Sequence, residues 1–296
     1  MEIKKIAVFG KKYEKTFDDS IYFFFTALQK MQTEVIIYEP FYNFIKEQSN
    51  YNPEPQGTFS EKFSAETKPD LVFSIGGDGT FLECVSFIGS CEVPVVGINS
   101  GRMGFLANIS KEDLPAAMIA IRKGQFSLFE RKLIEVSSEK PVFQSFNFAL
   151  NEITVQKRDS GSMITIHVYA DDNYLNSYWA DGLIISTPTG STAYSLSVGG
   201  PIVVPGAGVF IITPIAPHNL TVRPIVVPDN VELTLKIEGR SENFMASLDY
   251  KTEILETSTI LKLKAADFKV ITLKFENKTF FDTLRSKLMW GIDKRN

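Results

Sequence analysis

The sequence predicts two domains of different class: an α/β N-terminal domain with a parallel sheet, and an all-β C-terminal domain, antiparallel and sandwich-like. Strand-like and helix-like apolar patterns alternate through the first third of the chain. Beyond residue 123 they give way to short β-rich runs separated by turn residues. At 296 residues, 44% hydrophobic and 22% charged, the chain is long and apolar enough for two packed cores. The division falls at 1–110 and 111–276, with a terminal helix in 277–296 that packs back on the first domain.

Residues 3–9 read as a buried strand, and 18–31 carry apolar residues at helical spacing behind Asp18 or Asp19 as N-cap. A second strand covers 34–39 and a short helix 41–48. The polar stretch 49–68, with Pro53, Pro55 and Gly57, reads as a loop. Strand 71–75 runs through a glycine-rich turn into an apolar helix ending at Ile88, and strand 93–98 leads to a second glycine-bearing segment, 99–105. One further helix, 111–123, closes the alternating part. The β-rich runs that follow are 133–137, 146–155, 164–170, 183–187, 209–213, 231–237 and 261–263. Residues 281–290 return to helical spacing. No repeat period is present.

Composition narrows the function. The formal net charge is −4, which offers no basic footprint for nucleic acid or an anionic membrane. The two cysteines, Cys84 and Cys91, make no disulfide framework and match no zinc spacing. The N-terminal apolar run is too short for a signal peptide, so a soluble cytoplasmic protein is expected. With only His167 and His218 available, histidine-based acid–base chemistry has little material, and no Gly-x-Ser-x-Gly elbow presents a serine. His167 reads as a solvated or edge strand residue and His218 as structural. Gly182 to Val222 contains no Asp, Glu, Lys or Arg, but its prolines and glycines rule out a spanning helix. Such a segment reads as buried backbone in close approach to a ligand or a partner chain.

Three motifs carry the chemistry. GGDGT at 76–80 lies where an open α/β sheet binds ligands, in the turn from a strand's carboxyl end to a helix N-terminus. Its glycines let phosphates approach backbone N–H groups. It is neither a Walker A loop nor a Gly-x-Gly-x-x-Gly fingerprint. Asp78 in its centre would repel a bare phosphate; a hydroxyl donating to it, or a magnesium ion, resolves that conflict. The bland alternative is an N-capping aspartate. Asn151-Glu152 lies near the end of a β-rich run, and both side chains reach one ligand only where the strand bulges or ends. The third motif, residues 181–202, sets Asp181 ahead of a hydroxyl-rich loop.

GGDGT, GINSGRMGFL at 97–106, NE at 151–152 and DGLIISTPTGSTAYSLSVGGPI at 181–202 together resemble the NAD kinase family. ITPIAPHNLTVRPIVVP at 212–228 and SLD at 247–249 resemble its pattern too, in the right order. The resemblance implies transfer of the terminal phosphate of ATP to the adenosine 2′-hydroxyl of NAD, giving NADP. It also implies a divalent metal, commonly Mg2+, arriving with ATP, and a homodimer or homotetramer. Asp78 would be the proton acceptor, with Gly79 beside it and Phe105 lining the adenosine site. Asn151 and Glu152 would contact the adenosine moiety. Asp181, Thr189, Thr192, Ala193, Tyr194, Ser195 and Ser197 would hold the remainder of the dinucleotide.

Two departures stand out. Met103 replaces the usual leucine, a volume-conserving change. Tyr250 and Lys251 stand where the resemblance leads one to expect a small residue and a glutamine; if that position touches substrate, as the resemblance implies, Lys251 puts a positive charge in place of an amide. A loose phosphoryl-transfer transition state calls for charge neutralisation, for which Arg102, Arg131 and Arg223 are the candidate cations. The alternatives are another GGDGT-type kinase, such as a lipid kinase, and a non-catalytic dinucleotide sensor.

Overall fold

Strand β1 (Lys5–Gly10) is buried along all but its first residue, as a strand covered on both faces must be. Helix α1 (Asp18–Gln29) follows, with Asp18 and Asp19 in its first turn and Ile21, Phe24, Phe25 and Leu28 on one buried face. Next come β2 (Glu34–Tyr38), α2 (Glu39–Gln48), β3 (Gly57–Phe59), β4 (Leu71–Gly76), α3 (Asp78–Ile88), β5 (Val95–Asn99) and α4 (Leu114–Lys123). The strands pair in parallel in the order β5-β4-β1-β2-β3. The computed structural model describes residues 2–290 except 50, 102, 103, 145, 160–162, 277 and 278.

The β-rich part opens with β6 (Ser127–Ser137), β7 (Phe148–Ala149), β8 (Glu152–Lys157), β9 (Ile164–Ala170), β10 (Asn173–Ala180) and β11 (Gly182–Ser186). A short helix α5 (Tyr194–Ser197) precedes β12 (Val209–Ile215), β13 (Ile225–Pro228), β14 (Leu233–Gly239), β15 (Asn243–Leu248), β16 (Lys251–Glu256) and β17 (Leu261–Lys274). Strands β10, β9, β14 and the start of β17 form one antiparallel array. A second antiparallel sheet runs β13-β12-β11-β8-β15-β16. Both contribute to one core, in which Ile153, Leu183, Phe210 and Phe244 of the second sheet join Ile166, Leu233 and Leu261 of the first.

Two units result: residues up to Glu130 together with those from Val270 onward, and Arg131–Lys269. The first unit extends past the 110/111 division read from the sequence. The reason is α4, which buries Leu114, Ala117, Met118 and Ile121 in the first core beside Ile98 and Ile109. The final helix α6 (Phe280–Leu288) also belongs to this unit, burying Leu284 and setting Phe280 6.4 Å from Phe105.

Other differences have local causes. Glu39 opens α2 instead of ending β2, because Pro40 favours the first helical turn. The loop 49–68 contains β3, paired with β2. The run 146–155 is two strands, interrupted at Leu150 and Asn151. Strand β10 escapes a period-2 reading because a bulge between Tyr174 and Asn176 breaks its alternation. Among the described residues no helix is long and apolar enough to cross a membrane.

Helix α6 depends on a capping box: Thr279 Oγ1 accepts from Asp282 N–H at 3.2 Å, and the Asp282 carboxylate accepts from Thr279 N–H at 2.9 Å. Thr279→Ala removes that cap and is expected to cost about 1 kcal/mol in urea unfolding. An unchanged midpoint would show that packing alone holds the helix.

Candidate active site

Gly76 and Gly77 carry the chain from β4 into α3, whose first residue is Asp78. The Asp78 side chain does not cap its own helix. It reaches the segment after β5, where Oδ2 accepts the Phe105 N–H at 2.8 Å. Oδ1 accepts the N–H groups of Leu106 and Ala107 at 3.0 and 2.9 Å. A carboxylate has about four lone-pair positions. Among the described residues three are filled, which leaves one open on Oδ2. The residue is half-buried between the exposed Gly77 and Gly79. Gly104 makes this approach possible: a Cβ there would sit 1.6 Å from Asp78 Oδ1.

Phe105 is half-buried and is covered from α6, where Lys287 Nζ lies 4.5 Å from its ring centroid. Desolvation holds the Lys287 ammonium below the ordinary lysine range, and the charge of Asp78 acts the other way. Nothing in the sequence marks this lysine except its position on a helix that returns to the first unit.

A second carboxylate organises the other unit. Asp249 occupies the left-handed region, φ 53°, in the tight turn between β15 and β16. Its Oδ2 accepts the Leu150 N–H at 2.8 Å, and its Oδ1 accepts those of Asn151 and Glu152 at 2.9 and 3.1 Å. Burial pushes this carboxyl up to about 6 against those three donors and Lys251. Asn151 ends the interruption and Glu152 begins β8, so the pair lies at a strand's start, as the two side chains need in order to converge. Both are buried. Burial and the neighbouring Asp249 push Glu152 up to about 8, while the Tyr194 backbone draws it down. Glu152 Oε2 has no hydrogen-bond partner among the described residues.

The hydroxyl-rich segment folds onto this pair. Thr187 donates its hydroxyl to the Leu150 carbonyl at 2.6 Å and its N–H to Asn151 O at 2.9 Å. Gly190 N–H closes the turn on Thr187 Oγ1 at 3.1 Å, and a Cβ on Gly190 would lie 2.1 Å from Asn151 O. Only glycine fits that contact.

The remaining expected residues fall in distinct settings. Asp181 pairs with Lys157 at 2.7 Å. Thr189 is buried and accepts from Arg131 at 3.2 Å, and Thr192 donates to the Thr189 carbonyl at 3.2 Å. Ala193 is half-buried and precedes α5; Tyr194 and Ser197 are exposed. Tyr194 Oη accepts from Gln156 at 3.2 Å. Ser195 is fully buried, its hydroxyl 2.9 Å from that of Thr213. Lys251 lies over the rings of Phe146 and Tyr250, at 5.2 and 5.6 Å. Of the candidate cations, Arg223 donates to the Leu220 and Val222 carbonyls, both at 2.8 Å, and Arg131 is tied to Thr189. Arg102 and Met103 lie outside the described residues. His167 Nδ1 meets the Ser177 hydroxyl at 2.6 Å, and His218 packs 5.2 Å from Trp179. The described residues bring together no group of three or more side chains able to ligate a metal.

Residues 25–126 match the family model of the ATP-NAD kinase N-terminal domain, and 150–274 that of the ATP-NAD kinase C-terminal domain. An NAD kinase of Cytophaga hutchinsonii is 49% identical over 269 residues, covering 91% of this chain and 92% of that protein. One of Flavobacterium johnsoniae is 42% identical over 294 residues, covering 99% of this chain and 100% of that one. Among solved structures, an NAD kinase from Archaeoglobus fulgidus in complex with ATP aligns with a TM-score of 0.73 at 26% identity. The alignment covers 96% of this chain and 98% of that one. Yeast NADH kinase complexed with NADH shares the fold, with a TM-score of 0.84 at 24% identity, over 98% of this chain and 89% of that one.

Gly104→Ala is expected to displace the Asp78 carboxylate and reduce catalytic turnover by at least about 100-fold, with the protein still folded by circular dichroism. Wild-type turnover would show that the clasp is dispensable. Glu152 gives a stability test. Its folded-state value of about 8 against an ordinary 4.5 means the native state keeps a proton that the unfolded chain loses. Its contribution is full below about pH 4.5 and is lost as pH rises through about 8. Thermal melts of Glu152→Gln are therefore expected to gain on wild type from pH 5 to pH 8. Parallel curves would contradict a buried, protonated Glu152.

Proposed function

The chain belongs to the ATP-NAD kinase family, and from that membership we propose that it phosphorylates the adenosine 2′-hydroxyl of NAD with the terminal phosphate of ATP, producing NADP. The observation that carries the residue assignment is the grip of three backbone donors on Asp78, which among the described residues leaves one lone pair open. A carboxylate fixed by three backbone donors offers one acceptor position, which suits one hydroxyl donor better than a phosphate.

The reaction then divides among the chain's own residues. The 2′-hydroxyl donates to Asp78 Oδ2, which fixes its oxygen for attack. That oxygen bonds the terminal phosphorus as the bond to the bridging oxygen breaks, and ADP leaves. The hydroxyl proton passes to Asp78. A loose transition state asks for positioning more than for a strong base, so the proton moves late. Gly79 keeps the approach open, since a Cβ there would meet nothing within 4 Å. Phe105 supplies an aromatic wall for the adenosine. In the second unit Asn151 and Glu152 recognise the adenosine moiety. A protonated Glu152 can donate one hydrogen bond and spares the site a second negative charge. Asp181, Thr189, Thr192, Ala193, Tyr194, Ser195, Ser197 and Lys251 complete the dinucleotide-binding segment; for Ser195 the contribution is to hold α5 through Thr213.

We assign the divalent metal, Mg2+, to the phosphates of ATP, where it neutralises charge. Among the described residues no group of three or more His, Cys, Asp or Glu side chains forms that could hold a metal without the nucleotide. The family resemblance also supports a homodimer or homotetramer, and the exposed Trp179, Leu220, Ile225 and Val226 are apolar surface that such an assembly can cover. The same reading keeps the enzyme in the cytoplasm, with two soluble substrates.

The test is NADP formation from MgATP and NAD, with diacylglycerol as the competing acceptor and ATP consumption followed in parallel. Phosphorylation of diacylglycerol, or NAD binding without ATP consumption, would replace this reading with a lipid kinase or a sensor. Asp78→Asn keeps the side chain's shape but turns an amide toward a backbone N–H. It is expected to lower NADP formation by at least about 100-fold while calorimetry still detects NAD binding. Undiminished turnover would remove Asp78 from the mechanism.

A further inference from the structure

We propose that Lys287, on the C-terminal helix α6, is the protein's own cation for the phosphate chain of ATP at the Asp78 loop. The proposal rests on the phosphoryl-transfer reading above and adds to it a residue on an element with no part in the glycine-rich and hydroxyl-rich motifs.

The geometry runs through Phe105. The Lys287 ammonium sits over one face of that ring, 4.5 Å from its centroid. The backbone N–H of the same residue donates to Asp78 Oδ2 at 2.8 Å, the oxygen that retains an open lone pair. The cation and the acceptor carboxylate are thus tied to one residue. Among the described residues Lys287 makes no ion pair, whereas the neighbouring Arg285 on α6 pairs with Asp282. Asp78 is the acidic group whose charge it feels, and Asp78 is already bonded to three amides.

A half-buried ammonium without a bonded anion is a standing cost, here seen as the desolvation that favours its neutral form. The ring face compensates only in part, since a cation–π contact is weaker than the hydration the ammonium gives up. A polyanion brought to the loop supplies the missing partner. Lysine is suited to meet it, because its ammonium is a compact point charge on a flexible stem, able to leave the ring and follow a phosphoryl group as charge shifts toward ADP. The Thr279 capping box and buried Leu284 fix α6 and so set where that stem begins. Of the other cations considered, Arg131 bonds Thr189 and Arg223 bonds its own loop's carbonyls, while Arg102 lies outside the described residues.

Lys287→Met keeps an unbranched stem over Phe105 and removes the charge; Lys287→Arg keeps the charge. In Lys287→Met, kcat for NADP formation is expected to fall about 100-fold, and MgATP affinity by calorimetry about tenfold, with the KM for NAD unchanged. Its melting temperature should equal or exceed that of wild type, because an unpaired charge has left a half-buried place. Lys287→Arg should recover at least a tenth of wild-type turnover. Wild-type kcat and MgATP affinity in Lys287→Met would overturn the proposal. So would a lowered melting temperature with arginine no better than methionine, since that pattern belongs to a packing role. A wild-type protein that makes no NADP, but loses MgATP affinity on Lys287→Met, would sink the activity proposed above and leave the phosphate role of Lys287 standing.

Discussion

The carboxylate of Asp78, gripped by the three consecutive amides of residues 105–107, is the constraint from which the rest of the site follows. Hydrogen bonds to a charged group contribute about 1.5–3 kcal/mol each, more than an ordinary backbone bond. Three of them join the turn after β4 to the segment after β5, two places that a parallel sheet brings side by side but does not connect. Parallel strands leave their following loops free to wander. Here the loop after β5 is nailed to the start of α3, and Phe105, Leu106 and Ala107 have one arrangement. The absence of a Cβ at Gly104 is the steric condition for it.

The second unit uses the same device. Asp249 binds the three amides of residues 150–152, in a two-against-one division between its oxygens that matches Asp78. In each case an aspartate on one element cages a run of backbone donors on another and thereby fixes residues to which the proposed function gives a role: Asp78 itself in the first case, the Asn151-Glu152 pair in the second. The cost differs. Asp78 keeps partial access to water, while burial pushes Asp249 up to about 6 and Glu152 beside it to about 8. Two carboxyls so placed cannot both carry full charge at low cost, and the cage of N–H groups decides which one does. Asp249 takes the charge and Glu152 keeps the proton.

The sequence displayed both aspartates but not their work. GGDGT is legible because glycines around an acid at a strand exit have few other uses, and the two domain classes are legible because helical and alternating periods differ. What the string hides is partnership across distance. Asp78 and Phe105 are separated by 27 positions, and Asp249 and Glu152 by 97. No local pattern announces either contact. The same blindness explains Lys287, an ordinary basic residue in the last turn of a helix until Phe105 comes beneath it. It also explains β15 and β16. The more exposed positions are Asn243, Met245 and Ser247 in β15 and Thr252, Ile254 and Glu256 in β16, and what makes them strands is the pairing of β15 with β8 on one side and with β16 on the other.

Lys251 belongs to this logic. Asp249 sits in a left-handed conformation that an aspartate tolerates better than most residues, and the chain enters β16 two positions later. A cation there attracts the buried carboxylate and opposes the effect of desolvation on it. The stem and ammonium are held over Phe146 and Tyr250, so the charge stays near the turn instead of sweeping through solvent. Tyr250 and Lys251 therefore work as a pair: the aromatic ring gives the cation a seat, and the cation favours the ionised Asp249 on which three amides depend. A cation at this position thus reinforces the cage that holds Asn151 and Glu152. Its effect should fall on the pH range over which the cage holds before it falls on which dinucleotide is bound.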